Sequence, residues 1–269
     1  MPSFDNVNKE NLKRLKRFGY EEIKPKSKLE EVRMKGNATI VLYKTGKLLV
    51  QGKKNDVEEA AKLLNFAYIT EEKKGVTGFA VGSDESLKGD TFGGIVVAGF
   101  LADGDIRKDL KNMGVKDSKK LLNPDIVLIA TQLIEKFPKN YHVENIFPEE
   151  YNKMNVRHSV TEILDLLHGK CFSKLSRGKV IHIVDEYPGC SVGDIRETHA
   201  ESKYLEVAAA SVIARYFALK QIRDLEMKAG FFIPLGSSNV ESALLELKKK
   251  SLDPCEYVKL KFRNVSELF

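Results

Sequence analysis

Three short apolar runs constrain this chain more than any other feature: Phe79-Ala-Val-Gly-Ser-Asp84, Ile95-Val-Val-Ala-Gly-Phe-Leu101 and Val180-Ile-His-Ile-Val184. Each has the length and β-branched content of a strand buried within a sheet. The loop 85–94 makes the first two a hairpin or near-hairpin. Residues 201–228 carry a long helical pattern whose early turns are small, at Ala208, Ala209, Ala210, Ser211 and Ala214. Small residues there let a helix press closely on a sheet. Helical periodicity also covers 124–136, 149–168 and 241–250, with a short strand at 141–146. Such an alternation predicts an α/β domain.

The first ~70 residues read as a small α/β unit. Leu12, Leu15 and Phe18 share one helical face, and Gly19 stands at the helix stop. Ala38–Tyr43 and Leu48–Gln51 form β-rich runs joined by Lys44-Thr-Gly-Lys47, a hairpin signal. Asn55, with Glu58 three residues on, makes a capping-box pattern before a second amphipathic helix. The polar stretch 71–75 is the linker, and the expected domains are 1–72 and 73–269. Residues 1–75 hold 17 Lys/Arg against 11 Asp/Glu, which is the whole net charge of +6. A basic module on a neutral larger domain fits polyanion binding, often nucleic acid, although solvated surface lysine gives the same count.

Composition excludes several classes. No apolar stretch approaches the about 18–20 residues needed to span a bilayer. The N-terminus shows no secretory leader pattern. Cys171, Cys190 and Cys255 form no C-x-x-C and cannot all pair, which excludes a zinc finger or disulfide scaffold. The expected compartment is the reducing cytoplasm, with no membrane association.

The chemistry gathers at strand ends. Apolar strands end on Asp84-Glu85 and on Asp185-Glu186, and Glu201 opens the long small-residue helix. One strand-end acid can simply cap a turn. A convergent set is poorly solvated and self-repelling unless a cation is present. Without cysteine–histidine spacing, the set favours hard, oxygen-loving Mg²⁺ or Mn²⁺ over Zn²⁺. The loop 85–94 carries glycines at 89, 93 and 94 beside Lys88, and Gly114–Leu121 carries three lysines. Neither loop is a nucleotide-binding P-loop.

Three strings at family spacing carry a resemblance: Gly82-Ser-Asp-Glu-Ser-Leu-Lys-Gly-Asp-Thr-Phe-Gly-Gly94, Gly114-Val-Lys-Asp-Ser-Lys-Lys-Leu121, and Ala200-Glu-Ser-Lys-Tyr-Leu-Glu-Val-Ala-Ala-Ala-Ser-Val-Ile-Ala-Arg215. They resemble the type 2 ribonucleases H, ribonuclease HIII more than ribonuclease HII. The segment Gly36–Gly52 resembles the TATA-binding-protein-like domain that precedes ribonuclease HIII catalytic domains. The resemblance implies a ribonuclease H-like catalytic domain, a mixed central sheet flanked by helices, behind a small α+β substrate-binding domain. It implies a monomeric endonuclease that hydrolyses the RNA strand of RNA–DNA hybrids, leaving 3′-hydroxyl and 5′-phosphate ends. The four catalytic, metal-binding acids fall on Asp84, Glu85, Asp185 and Glu201, with two Mg²⁺ or Mn²⁺ ions expected between them. Asp84 and Asp185 are the expected central ligands. Ser86, Leu87, Lys88, Gly89, Lys119 and Lys120 would meet the nucleic acid, whereas His199 reads as a packed or solvated histidine rather than a proton shuttle.

The sequence departs from the family pattern twice. Leu87 replaces the first glycine of a glycine–lysine–glycine stretch, and Gly94 replaces a proline. A left-handed leucine costs about 1–2 kcal/mol, so the loop is expected to take another path and to shift selectivity for ribonucleotides. Two alternatives accompany this reading: nicking at single ribonucleotides embedded in DNA, and hybrid binding without catalysis.

Overall fold

The computed structural model describes residues 3–4, 9–69, 76, 78–115 and 121–269. The chain divides into two compact units, Met1–Lys74 and Gly75–Phe269. The stretch 71–75, expected as the linker, lies outside the described residues, as do Lys119 and Lys120.

The first unit contains β1 (Ser3–Phe4), α1 (Lys9–Lys13), β2 (Glu21–Ile23), β3 (Glu30–Lys35), β4 (Thr39–Tyr43), β5 (Leu48–Gln51) and α2 (Lys54–Ile69). Its strands form one antiparallel sheet in the order β1-β5-β4-β3-β2. Leu12, Leu15, Met34, Ile40, Leu42, Leu48, Val50 and Leu64 make its core. Two local expectations fail here. Phe18 is 43% exposed, because α1 tightens into a 3₁₀ turn over Arg14–Phe18 and the 3.6-residue period no longer holds. Asn55 lies inside α2, which starts at Lys54, so it is not the cap.

The second unit runs through β6 (Ala80–Ser86), β7 (Ile95–Ala102), α3 (Gly104–Asn112), α4 (Asn123–Lys136), β8 (Tyr141–Ile146), α5 (Pro148–Asn155), α6 (Val160–Leu175), β9 (Ile181–Asp185), β10 (Ile195–Glu197), α7 (Leu205–Ala229), α8 (Glu241–Lys249) and α9 (Arg263–Ser266). Its sheet has the order β10-β9-β6-β7-β8, with β10, β9 and β6 parallel and β7 and β8 antiparallel. β7 is apolar throughout because both of its faces are covered. Val96, Ala98, Phe100 and Ala102 join the cluster under α4, α7 and α8. Ile95, Val97 and Leu101 join the opposite cluster, with Ile163, Leu167 and Cys171 of α6.

Close approach of α7 to β6 requires Gly82. A Cβ there would lie 2.3 Å from the Val207 nitrogen, inside any real contact distance. Two helix boundaries differ from the periodicity. The run 149–168 is broken into α5 and α6, because Ser159 forms a capping box with Glu162 and starts a new helix. Glu201 belongs to a 3₁₀ turn, Ala200–Ser202, and α7 begins only at Leu205.

Candidate active site

The site grows out of one strand register. β6 and β9 run parallel with Ser83 opposite Val184, so the next residues, Asp84 and Asp185, lie side by side at the same end of the sheet. β6 continues to Ser86, placing Asp84 and Glu85 within the strand rather than after it. Their side chains therefore point to opposite faces. Asp84 faces α7, where the Ser211 hydroxyl donates to it. Glu85 faces α6, where His168 Nε2 lies 3.4 Å from Oε2. A cavity of about 240 Å³ opens beside them, lined by Asp84, Glu85, Leu87, Asp90, Ser211 and Arg215 among others.

Asp185 is tied to the fourth acid through the backbone. Its Oδ1 accepts the Ala200 N–H at 2.9 Å, which anchors the 3₁₀ turn carrying the buried Glu201. Neither Asp185 nor Glu201 lines that cavity. Among the described residues, no three Asp, Glu, His or Cys side chains close into a ready-made metal cage.

Electrostatics separates the two adjacent acids. Burial raises the Asp84 carboxyl well above its ordinary range, and the nearby Glu85 and Asp185 charges push it further. Burial also acts to raise Glu85, but His168 and Lys88 outweigh it and hold Glu85 below the usual carboxylate value. Asp84 thus sits where negative charge is crowded and desolvated, which a divalent cation would relieve. Glu85 Oε2 is fully buried and makes no hydrogen bond. With an all-oxygen donor set of carboxylates, these residues fit Mg²⁺ or Mn²⁺.

Sequence reasoning missed the supports behind Glu85. The Ser83 hydroxyl lies 2.7 Å from His168 Nδ1, and the His168 ring packs on Tyr187, centroid to centroid 5.3 Å. The Tyr187 hydroxyl donates to Asp165 at 2.8 Å. Lys88 pairs with Glu85 and stands 5.4 Å above the Tyr187 ring. No local signal links Ser83 to His168, 85 positions away. Ser211 and Arg215 were findable: they lie one helical turn apart, on a helix already marked by its small residues.

The expected detour at Leu87 is not taken. Leu87 sits in the left-handed region at φ +66°, and its side chain is buried in the cluster under α7. Burying a leucine contributes about 1.5–3 kcal/mol, enough to offset a left-handed cost of about 1–2 kcal/mol. The loop therefore keeps a conformation that suits glycine, with the side chain turned inward and Gly89 exposed. Gly94 has its own reason. Its N–H donates to Gln221 Oε1 at 2.7 Å, a bond proline could not make, and a Cβ would lie 2.1 Å from the Ile146 carbonyl oxygen. His199 is exposed, with Nδ1 3.8 Å from Glu201 Oε1.

Known proteins resemble the chain over most of its length. The sequence profile of the family described as Ribonuclease HII matches residues 81–265. The chain is 30% identical to a protein named Ribonuclease HIII from Leuconostoc mesenteroides, over 86% of both chains. It is 32% identical to the Ribonuclease HIII of Bacillus licheniformis, over 85% of this chain and 84% of the relative. Among solved structures, Bst-RNase HIII in complex with Mn²⁺ superposes with a TM-score of 0.68 and 25% identity, covering 99% of this chain and 97% of that one.

Proposed function

The chain belongs to the ribonuclease HII family, and from that premise we propose how its residues perform the family's reaction. It is a metal-dependent ribonuclease H, an endonuclease acting on RNA–DNA hybrids. The fold is ribonuclease H-like, and its cofactor is Mg²⁺ or Mn²⁺. Two such ions, when bound, supply an activated water and stabilise the leaving 3′-oxygen.

Asp84 and Asp185 would hold the metal, and the register that places them together at adjacent strand ends is the observation carrying this assignment. Glu85 approaches from the opposite face of β6, kept charged by Lys88 and oriented by His168. Glu201 joins from the turn anchored on Asp185. Ser86 and Gly89 offer their backbone to the hybrid on either side of Leu87, which supports the turn from below, and Lys88 stands ready to trade Glu85 for a phosphate. Lys119 and Lys120 would extend that interaction. The unit 1–72, similar in sequence to TATA-binding-protein-like domains, binds substrate through its positive charge, and the enzyme acts as a cytoplasmic monomer. Among the described residues no helix is long and apolar enough to cross a membrane.

A metal-titrated cleavage assay on matched RNA–DNA, DNA–DNA and RNA–RNA duplexes tests the reading, with cleavage expected on the hybrid alone. Asp185→Asn should lower turnover by orders of magnitude while hybrid binding survives, because one fewer negative charge faces the phosphate. Near-normal cleavage by folded Asp185→Asn would remove this residue from the mechanism. A duplex with a single embedded ribonucleotide, run in parallel, separates hybrid cleavage from nicking.

A further inference from the structure

The loop between β6 and β7 is held from a distant part of the chain. Residues 257–259, near the C-terminus, lie against it through a single antiparallel bridge, and Asn264 at the start of α9 adds a side-chain contact. Val258 bridges Phe92, the Gly93 N–H donates to the Tyr257 carbonyl at 2.9 Å, and the Lys259 N–H donates to the Thr91 carbonyl at 3.0 Å. Asn264 Nδ2 donates to Thr91 Oγ1 at 2.9 Å. The Lys259 side chain is fully buried. Its Nζ donates to the Asp90 carbonyl at 2.7 Å and to the Gly93 carbonyl at 2.8 Å, between the rings of Tyr151 and Phe262.

Burying an ammonium is costly, and an apolar residue of similar length would fill the same space. What lysine adds is a pair of donors from one point to two carbonyls three residues apart. An amine and an ammonium can both make that pair of bonds. The carbonyls belong to the half of the loop that follows the strained turn, in which the Asp90 N–H donates back to the Leu87 carbonyl at 3.2 Å. A left-handed leucine persists only where its surroundings over-determine it. Lys259 supplies part of that constraint, and Asp90 itself lines the cavity beside Asp84 and Glu85.

We infer that Lys259 is a positioning residue for substrate recognition: it clamps the loop 87–93 from the C-terminal segment, so that the half-buried Lys88 and the exposed Gly89 meet the hybrid in one fixed geometry. This rests on the reading that residues 86–89 contact substrate. The clamp acts on binding and selectivity, and leaves the carboxylates of the metal centre untouched.

Lys259→Met, which keeps the volume and removes both donors, tests the clamp. KM for hybrid should rise several-fold with kcat nearly unchanged, and so should the Kd for labelled hybrid measured by anisotropy in EDTA. The ratio of hybrid to single-ribonucleotide cleavage should change, while the Mn²⁺ midpoint for activity stays in place. Lys88→Ala is run beside it as the check on the loop. If Lys88→Ala weakens hybrid binding but folded Lys259→Met changes neither KM nor the ratio, the clamp is wrong and the loop reading stands. If Lys88→Ala also leaves hybrid affinity unchanged, the loop reading fails and the clamp falls with it. Should Lys259→Met not fold, Asn264→Ala decides by the same readouts: a smaller rise in KM supports the clamp, and an unchanged KM and ratio overturn it.

Discussion

Leu87 shows how a single residue can hold an unfavourable backbone angle. Its φ of +66° is a glycine's conformation, and its side chain is 4% exposed under α7. The two contributions respond oppositely to substitution. Leu87→Ala keeps the strain and loses the packing, a change that typically costs about 2–5 kcal/mol. Leu87→Gly loses the same packing but relieves the left-handed strain, so it should be the more stable variant by about 1 kcal/mol. Urea unfolding of the two checks this, and a more stable alanine variant would show that residue 87 carries no strain. Lys259 gives a second test at this scale, read through pH. Burial lowers its pKa from 10.5 to about 7, with the Asp90 charge opposing. The unfolded chain therefore binds the extra proton between pH 7 and 10, and stability contributed by this group rises with pH across that window. Relative to Lys259→Met, the wild-type midpoint should climb from pH 7 to pH 10. Parallel curves would place the Lys259 pKa near its ordinary value.

At the level of elements, the arrangement of the candidate site depends on one helix and one strand lying unusually close. α7 presents Val207 to the backbone of β6 at Gly82, and one turn later presents Ser211 to Asp84. Gly82→Ala would force the two apart. Overpacking of this kind costs about 1–3 kcal/mol, and more when the clash is with backbone. We expect a lower Tm and, in protein that remains folded, reduced kcat, because Ser211 would move off Asp84. Retained Tm and kcat would mean that the helix can shift without consequence. The same strand explains why two neighbouring acids meet different surroundings. Period-two alternation sends Asp84 toward α7 and Glu85 toward α6, so each meets a different partner and their carboxyl pKa values move apart.

For the whole molecule, the charge divides between two units with separate cores. Residues 76–269 carry 27 Lys/Arg and 27 Asp/Glu, so little nonspecific attraction for a polyanion remains once 1–75 are gone. Deleting 1–72 should leave a folded, metal-binding domain with much weaker hybrid affinity. For every phosphate that the shortened protein no longer neutralises, the log–log salt dependence of that affinity should flatten by roughly 0.7–0.9. An unchanged affinity and salt slope would refute the substrate-binding role of the N-terminal unit. Much of this protein is legible in its residues alone. The doubly buried β7, the acids at the strand ends, the small face of α7 and the partition of charge follow from local period and composition, which are properties of the chain itself. Tertiary structure alone decided the rest. The break between α5 and α6 depends on a cap overriding a continuous apolar period. The partners of Glu85 and of the loop, His168 and Lys259, come from distant segments with no local signal. The left-handed Leu87 runs against expectation because its strain can be read from residue type, whereas the burial that offsets it depends on a helix more than a hundred residues away.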